Sequence, residues 1–188
     1  MKKKLFLISS GLFGILLVAV IVVLALTAGK PDSFQVERSI TIAAPADEIY
    51  PQINNLHNWS KWSPWEAKDP GMKKSLSGPE EGKGAIYAWS GNDDVGEGSM
   101  TIVDSEEPEK IEILLSFKKP FEGDNKVFFT LKQKDKEEKP STDLTWSMEG
   151  PNPFMCKVMQ VFIDMDKMCG ADFEKGLSKL KKLAEKTQ

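Results

Sequence analysis

The sequence predicts an α+β domain, a seven-stranded curved antiparallel sheet around a long C-terminal helix, with one transmembrane helix ahead of it. Three observations lead there. A run without a charged residue extends from Leu5 to Ala28. Seven segments with the apolar alternation of strands, separated by Gly, Pro, Asn and Asp, occupy most of the region from Phe34 to Glu149. From Pro153 to about Lys186, Met155, Val158, Met159, Phe162, Met165, Cys169, Phe173, Leu177 and Leu180 recur at steps of three and four, so a single helix would carry them on one face. A helix that long needs a long apolar surface, and a sheet curved around it leaves room for a cavity. That combination points to a binding protein.

Lys2, Lys3 and Lys4 precede the uncharged run, which as a helix would reach about 36 Å, enough to cross a bilayer. The run is longer than the apolar core of a signal peptide. Leu26-Thr27-Ala28 is a poor cleavage site, although Val23-Leu24-Ala25 is tolerable, so an uncleaved anchor is expected. No cysteine lies near its end, which excludes a lipoprotein-type N-terminus. Three lysines before the span and Lys30 after it favour a cytoplasmic N-terminus and an extracytoplasmic domain, periplasmic or at the cell surface. The organisation expected is a basic N-terminus (1–4), a transmembrane helix (5–28), a linker containing Pro31 (29–33) and one domain (34–188). The linker can extend only about 17 Å, which keeps the domain near lipid.

Within the domain, Phe34, Val36, Ile40 and Ile42 share one parity of a first strand running to about Ala43. Pro45 opens a helix with Asp47 and Glu48 in its first turn and Ile49, Ile53 and Leu56 on its apolar side. His57 through Trp65 forms a second short helix or turn. Six further strands are expected at 73–77, 84–90, 97–104, 110–117, 125–133 and 142–149. Ile111, Ile113, Leu115 and Phe117 fall on one face, as do Val127, Phe129 and Leu131, and Leu144, Trp146 and Met148. These faces should line the interior. The one patch of low complexity is the charged turn from Lys132 to Lys139, and Gly150-Pro151-Asn152-Pro153 ends the last strand and starts the long helix.

Several local motifs accompany this order. They are Glu37-Arg38-Ser39-Ile40 leading to Ala44-Pro45, Trp62-Ser63-Pro64-Trp65, Gly82-Lys83-Gly84-Ala85 with Trp89, Gly96-Glu97-Gly98 with Met100, Thr145-Trp146, and Met165-Asp166-Lys167-Met168 through Leu177. With them, residues 34–186 resemble the SRPBCC superfamily, the START-like helix-grip fold, and within it the bacterial polyketide cyclase/dehydrase-like and lipid-transport group. The resemblance implies the strand, two short helices, six strands and long helix already read. It implies little about function, because the superfamily includes carriers, sensors, chaperone-associated modules and a minority of enzymes.

Composition narrows the chemistry. Setting aside the four lysines up to Lys30, the domain has an acidic excess of about seven, which argues against nucleic acid as a partner. With one histidine, His57, and two cysteines, no zinc site of His and Cys ligands can be built, and His57 is expected to follow the first helix. In a continuous helix Cys156 and Cys169 would lie about 20 Å apart, too far for a disulfide. Gly82-Lys83-Gly84 and Gly96-Glu97-Gly98 each precede a strand and not a helix, so they read as hairpin turns and not phosphate loops. Asp93, Asp94 and Glu97 match no calcium loop. No metal and no cofactor are expected.

The candidate pocket lining comprises Trp62, Trp65, Trp89, Phe117, Phe129, Trp146, Met155, Met159 and Phe162, residue types that suit a core as well as a pocket wall. Arg38 shares parity with Val36 and Ile40. It is a candidate polar anchor for an anionic ligand, with an internal ion pair or exposure at the rim as the alternatives. The function expected is a membrane-anchored, extracytoplasmic binding protein for a lipid or other apolar small molecule. The alternatives are a polyketide cyclase/dehydratase-like enzyme, disfavoured by the lack of an evident acid/base pair, and an envelope interaction module whose cavity is filled by its own side chains.

Overall fold

A computed structural model describes residues 2–134 and 140–186, with side chains from Gly14 onward. The chain divides into two compact units, Met1–Ser33 with Asn152–Met165, and Phe34–Pro151 with Asp166–Gln188.

In the larger unit seven strands form one sheet: β1 (Ser33–Ile42), β2 (Lys73–Ser77), β3 (Ile86–Ser90), β4 (Glu97–Glu106), β5 (Lys110–Lys119), β6 (Gly123–Lys134) and β7 (Ser141–Pro151). Their order is β1-β7-β6-β5-β4-β3-β2. From β2 to β7 each strand pairs antiparallel with the next, the meander that alternating segments with Gly-rich turns dictate. Between β1 and β2 lie a helix, α2 (Ala46–Asn54), and two 3-10 turns, Leu56–Lys61 and Trp65–Ala67. The glycine motifs fall in the turns before β3 and β4, where Gly82, Gly84 and Gly96 have φ of 74°, 92° and 65°. The charged turn expected at Lys132–Lys139 lies, from residue 135 onward, outside the described residues.

The register brings the apolar parities onto one face. Ile111 pairs with Phe129, Ile113 with Val127, Phe129 with Trp146 and Leu131 with Leu144, and all of these are buried. A helix, α4 (Met165–Ala184), contributes Phe173, Leu177, Leu180 and Ala184 to the same core. Lys181 donates to the carbonyl of Thr41 and Glu185 accepts from the N–H of Ala43, which ties the end of this helix to the end of β1.

The single long helix expected from Pro153 is not continuous. It is two helices, α3 (Phe154–Phe162) and α4, separated by Ile163 in extended conformation with φ of −126° and ψ of 129°. A β-branched residue accepts extended backbone readily, and Asp164, a residue type favoured at helix N-caps, stands just ahead of α4. The break puts Met155, Met159 and Phe162 in the smaller unit.

That unit also contains α1, whose backbone runs from Lys2 to Ala28. Among the described residues no helix is long and apolar enough to cross a membrane. The part of α1 with described side chains, residues 14–28, is about 22 Å long, short of a ~30 Å hydrocarbon core.

A Cβ at Gly176 would stand 2.8 Å from the Trp146 ring and 3.1 Å from Pro64. Both neighbours are buried, so Gly176→Ala is expected to cost about 1–3 kcal/mol by overpacking. A lower urea midpoint for the variant, at an unchanged denaturant slope, checks this.

Candidate functional site

The inner face of the sheet has a closed end and an open end. At the closed end the end of α2 fixes the aromatic side chains. A helix leaves its last four carbonyls without intrahelical partners, and here each is satisfied. The Pro51 carbonyl accepts from the Asn55 N–H and Asn58 Nδ2, that of Gln52 from Trp62 Nε1 at 2.9 Å, that of Ile53 from Trp59 Nε1 at 2.8 Å, and that of Asn54 from the Gly82 N–H. Thus the two indoles cap the helix with their polar edges and place their rings in the core.

There Trp59 and Trp62 meet edge-on with Phe129 and Trp146, at centroid distances of 5.7 to 6.3 Å. Trp146 in turn stacks on Phe173 of α4 at 4.2 Å and 5°. Of the predicted lining residues, Trp62, Phe129 and Trp146 are therefore parts of a filled aromatic core. Trp146 is only 2% exposed and its buried Nε1 has no hydrogen-bond partner, whereas the indoles of Trp59, Trp62 and Trp89 each donate to a backbone carbonyl.

The open end lies further along the same strands. On β5, Ile111 and Ile113 are fully buried, whereas Leu115 and Phe117, of the same parity, are half-buried. Their partners on β4 are Met100 and Gly98, and Gly98 faces Trp89 on β3. The Trp89 ring covers Gly98, where a Cβ would come within 2.7 Å of it, and meets Phe117 edge-on at 5.7 Å. Trp65, also half-buried, is in edge contact with Trp146 and Phe173 and so belongs to the closed end. Trp89 and Phe117 thus form, with Met100 and Leu115, a half-exposed apolar wall.

One polar pair borders this wall that sequence reasoning missed. Tyr87, next to Trp89 on the inner face, donates from its hydroxyl to Glu66 Oε1 at 3.2 Å, and Lys74 donates to Glu66 Oε2 at 2.6 Å. Burial, reinforced by the Glu66 charge, pushes the Tyr87 phenol far above its ordinary value, so this hydroxyl is a hydrogen-bond donor and not a base. The signal in the sequence was slight: an acid directly after Trp65, and a tyrosine of the same parity as Trp89.

Arg38 adopts the ion-pair alternative. Its Nε donates to Glu174 Oε1 at 2.8 Å, and its two terminal nitrogens reach Asp166 Oδ1, Oδ2 and backbone carbonyl and the Glu37 carbonyl at 2.7 to 3.1 Å. Asp166 and then Glu174 raise its affinity for the proton further. With its donors engaged, the guanidinium is committed to α4 and not offered to a ligand. Met155 and Phe162, on α3, are exposed and Met159 is half-buried. His57 is exposed in the first 3-10 turn, and no cluster of metal-ligating side chains occurs among the described residues.

Comparisons agree with this architecture. A family described as polyketide cyclase/dehydrase and lipid transport matches residues 33–185. No curated protein matches the sequence. A crystal structure of a Chromobacterium violaceum protein is similar at 16% identity and a TM-score of 0.56, over 83% of this chain and 99% of that one. Major latex-like protein 151 of Panax ginseng aligns at 12% identity and a TM-score of 0.57, over 82% and 99%. The Aha1 dimer of Colwellia psychrerythraea aligns at 17% identity and 0.51, over 79% and 93%. At these identities the likeness is one of fold.

Two expected outcomes separate the ends of the face. Trp62→Ala should cost about 3–5 kcal/mol, the range for truncating a buried aromatic, and half-buried Phe117→Ala clearly less, as urea titrations would report. The second concerns Cys169. Burial, and then the Asp172 charge, lift its thiol above the ordinary 9.0. A thiol that holds its proton more tightly when folded stabilises fully below the unfolded value, and that contribution is lost as pH rises from there through the higher folded value. Stability should therefore fall as pH rises above the ordinary thiol value, by an amount that Cys169→Ala abolishes.

Proposed function

Because the chain belongs to the polyketide cyclase/dehydrase and lipid transport family, we propose that it is a membrane-anchored, extracytoplasmic binding protein. Its ligand is an apolar small molecule or lipid, held at the open end of the sheet's inner face. The observation that carries this reading is the gradient along β5, from buried Ile111 and Ile113 to half-exposed Leu115 and Phe117, on a face whose other end is a packed core. Leu115, Phe117, Trp89 and Met100 offer an apolar wall, and the Tyr87 hydroxyl with Glu66 gives one polar point at which a head group is oriented.

Support for the anchor comes from α1. Its large apolar side chains from Ile15 to Leu26, except Val23, are 47% to 72% exposed, and they surround the helix instead of forming one stripe. Water would make that surface costly, and hydrocarbon would not. The lysines at 2, 3 and 4 against one at 30 favour the domain on the non-cytoplasmic side. The packed Trp59, Trp62, Phe129, Trp146 and Phe173 cluster favours a second reading, a protein-interaction module with a filled interior.

Fluorescence titration with an apolar probe, together with mass spectrometry of molecules extracted from the purified protein, separates the two. Ligand binding should quench or shift tryptophan emission, and Leu115→Arg should weaken it at least about tenfold, roughly 1.4 kcal/mol, in a variant that circular dichroism shows to be folded. Absence of any co-purifying apolar molecule, with no probe binding to the parent protein, would leave the interaction-module reading. Protease added to intact spheroplasts should cut the domain, and protection until lysis would refute the orientation.

A further inference from the structure

Helix α3 is bound on one side and bare on the other. At 100° per residue, Phe154, Met155, Val158 and Phe162 fall on one side, and Lys157 and Gln160 on another. The polar side is engaged within its own unit. Lys157 Nζ donates to Asp32 Oδ1 at 2.6 Å, and Gln160 exchanges two side-chain hydrogen bonds with Asn152, at 2.9 and 3.2 Å. Asn152 is itself fixed, donating from Nδ2 to the Pro31 carbonyl and from its backbone N–H to the Asp32 carbonyl. The apolar side has no such cover: Phe154, Met155 and Phe162 are 58%, 55% and 71% exposed, and Ile163 follows at 41%. Large side chains contiguous over two turns of helix mark a contact surface.

The neighbouring helix identifies what covers them. α3 packs against α1, and a groove of about 300 Å³ between them is lined by Leu24, Thr27 and Ala28 on one wall and by Phe154 and Lys157 on the other. α1 is apolar on all sides as far as Leu26, and charge begins only at Lys30 and Asp32. The groove therefore marks the depth at which the chain passes from apolar to polar surroundings, and α3 begins at that depth. An amphipathic helix placed there meets the boundary between head groups and acyl chains.

We propose that α3 is an interfacial membrane helix, with Phe154, Met155, Val158 and Phe162 seated among the upper acyl chains of a lipid bilayer where α1 emerges from it. The Lys157–Asp32 pair and the Asn152–Gln160 pair then face the head groups. This rests on the reading of α1 as a membrane span. Its consequence is that the chain meets the membrane twice, at residues 5–28 and again at 154–163, before and after the strands of the sheet domain.

The test uses the full chain, with Cys156 and Cys169 replaced by alanine, reconstituted into phosphatidylcholine/phosphatidylglycerol vesicles. An environment-sensitive fluorophore is attached through Phe162→Cys, Met155→Cys, Val20→Cys or, as an exposed control in the sheet domain, Glu80→Cys. Lipids brominated near the head group should remove most of the emission from positions 162 and 155, mid-chain bromines should do so at position 20, and position 80 should respond to neither. Quenching at 20 but not at 155 or 162 would overturn the interfacial helix while leaving the anchor standing. Absence of quenching at position 20 and on α3 alike would overturn both. A photocrosslinker at position 162 that captures protein and not lipid would assign the α3 face to a protein partner and overturn the proposal.

Discussion

The sheet domain depends on how α2 ends. A helix of nine residues leaves four carbonyls to be satisfied within a few residues of its terminus, and two of them receive indole N–H groups. An indole can do this and still contribute a ring of large apolar area, so one interaction closes the helix and fills the space above β6 and β7. Replacing either tryptophan would leave a carbonyl without its donor and a hole in the core. The same constraint explains why the Trp59–Trp65 corner is compact. Its rings must reach back to the helix that precedes them and forward to Phe129 and Trp146.

A second constraint governs α4. Its register on the sheet is set by the Trp146–Phe173 stack and by Arg38, whose guanidinium lies so close over Gly170 that a Cβ there would stand 2.0 Å from it. Asp166 in the first turn and Glu174 two turns later grip the same group. Anions near a helix N-terminus are favourable, and the pairing with Arg38 converts that preference into a fixed position. Since Asp166 and Glu174 are well exposed, the clamp serves alignment more than stability. An arginine that faces the inner side by parity is thereby taken out of ligand chemistry.

These two fixtures hold one end of the inner face shut, and the other end retains half-exposed aromatic and aliphatic side chains. The division is local to each strand: Ile113 and Leu115 are two residues apart on β5 and differ in whether anything covers them. Tyr87 and Glu66 stand where the cover ends. A polar pair at that boundary, beside apolar Leu115 and Phe117, is what supports the ligand proposed for this face.

The sequence alone determined the elements. Period-two alternation in β5, β6 and β7, and glycines at positive φ in the turns, depend on neighbours within a few residues, so seven strands and their inner faces were legible in the chain. The first half of the C-terminal helix was not. Met155, Val158, Met159 and Phe162 keep the spacing of the residues that follow, and spacing cannot show that Ile163 adopts extended backbone between them. The tertiary structure alone decided which apolar residues are core and which are surface. Trp62 and Trp89 look alike as letters, but one lies beneath Trp146 and the other at an open edge, because burial is set by what packs on top and not by the residue's own chemistry. It also decided the partner of Arg38, since Asp166 and Glu174 lie more than a hundred residues away in the chain and only the folded sheet and helix bring them together.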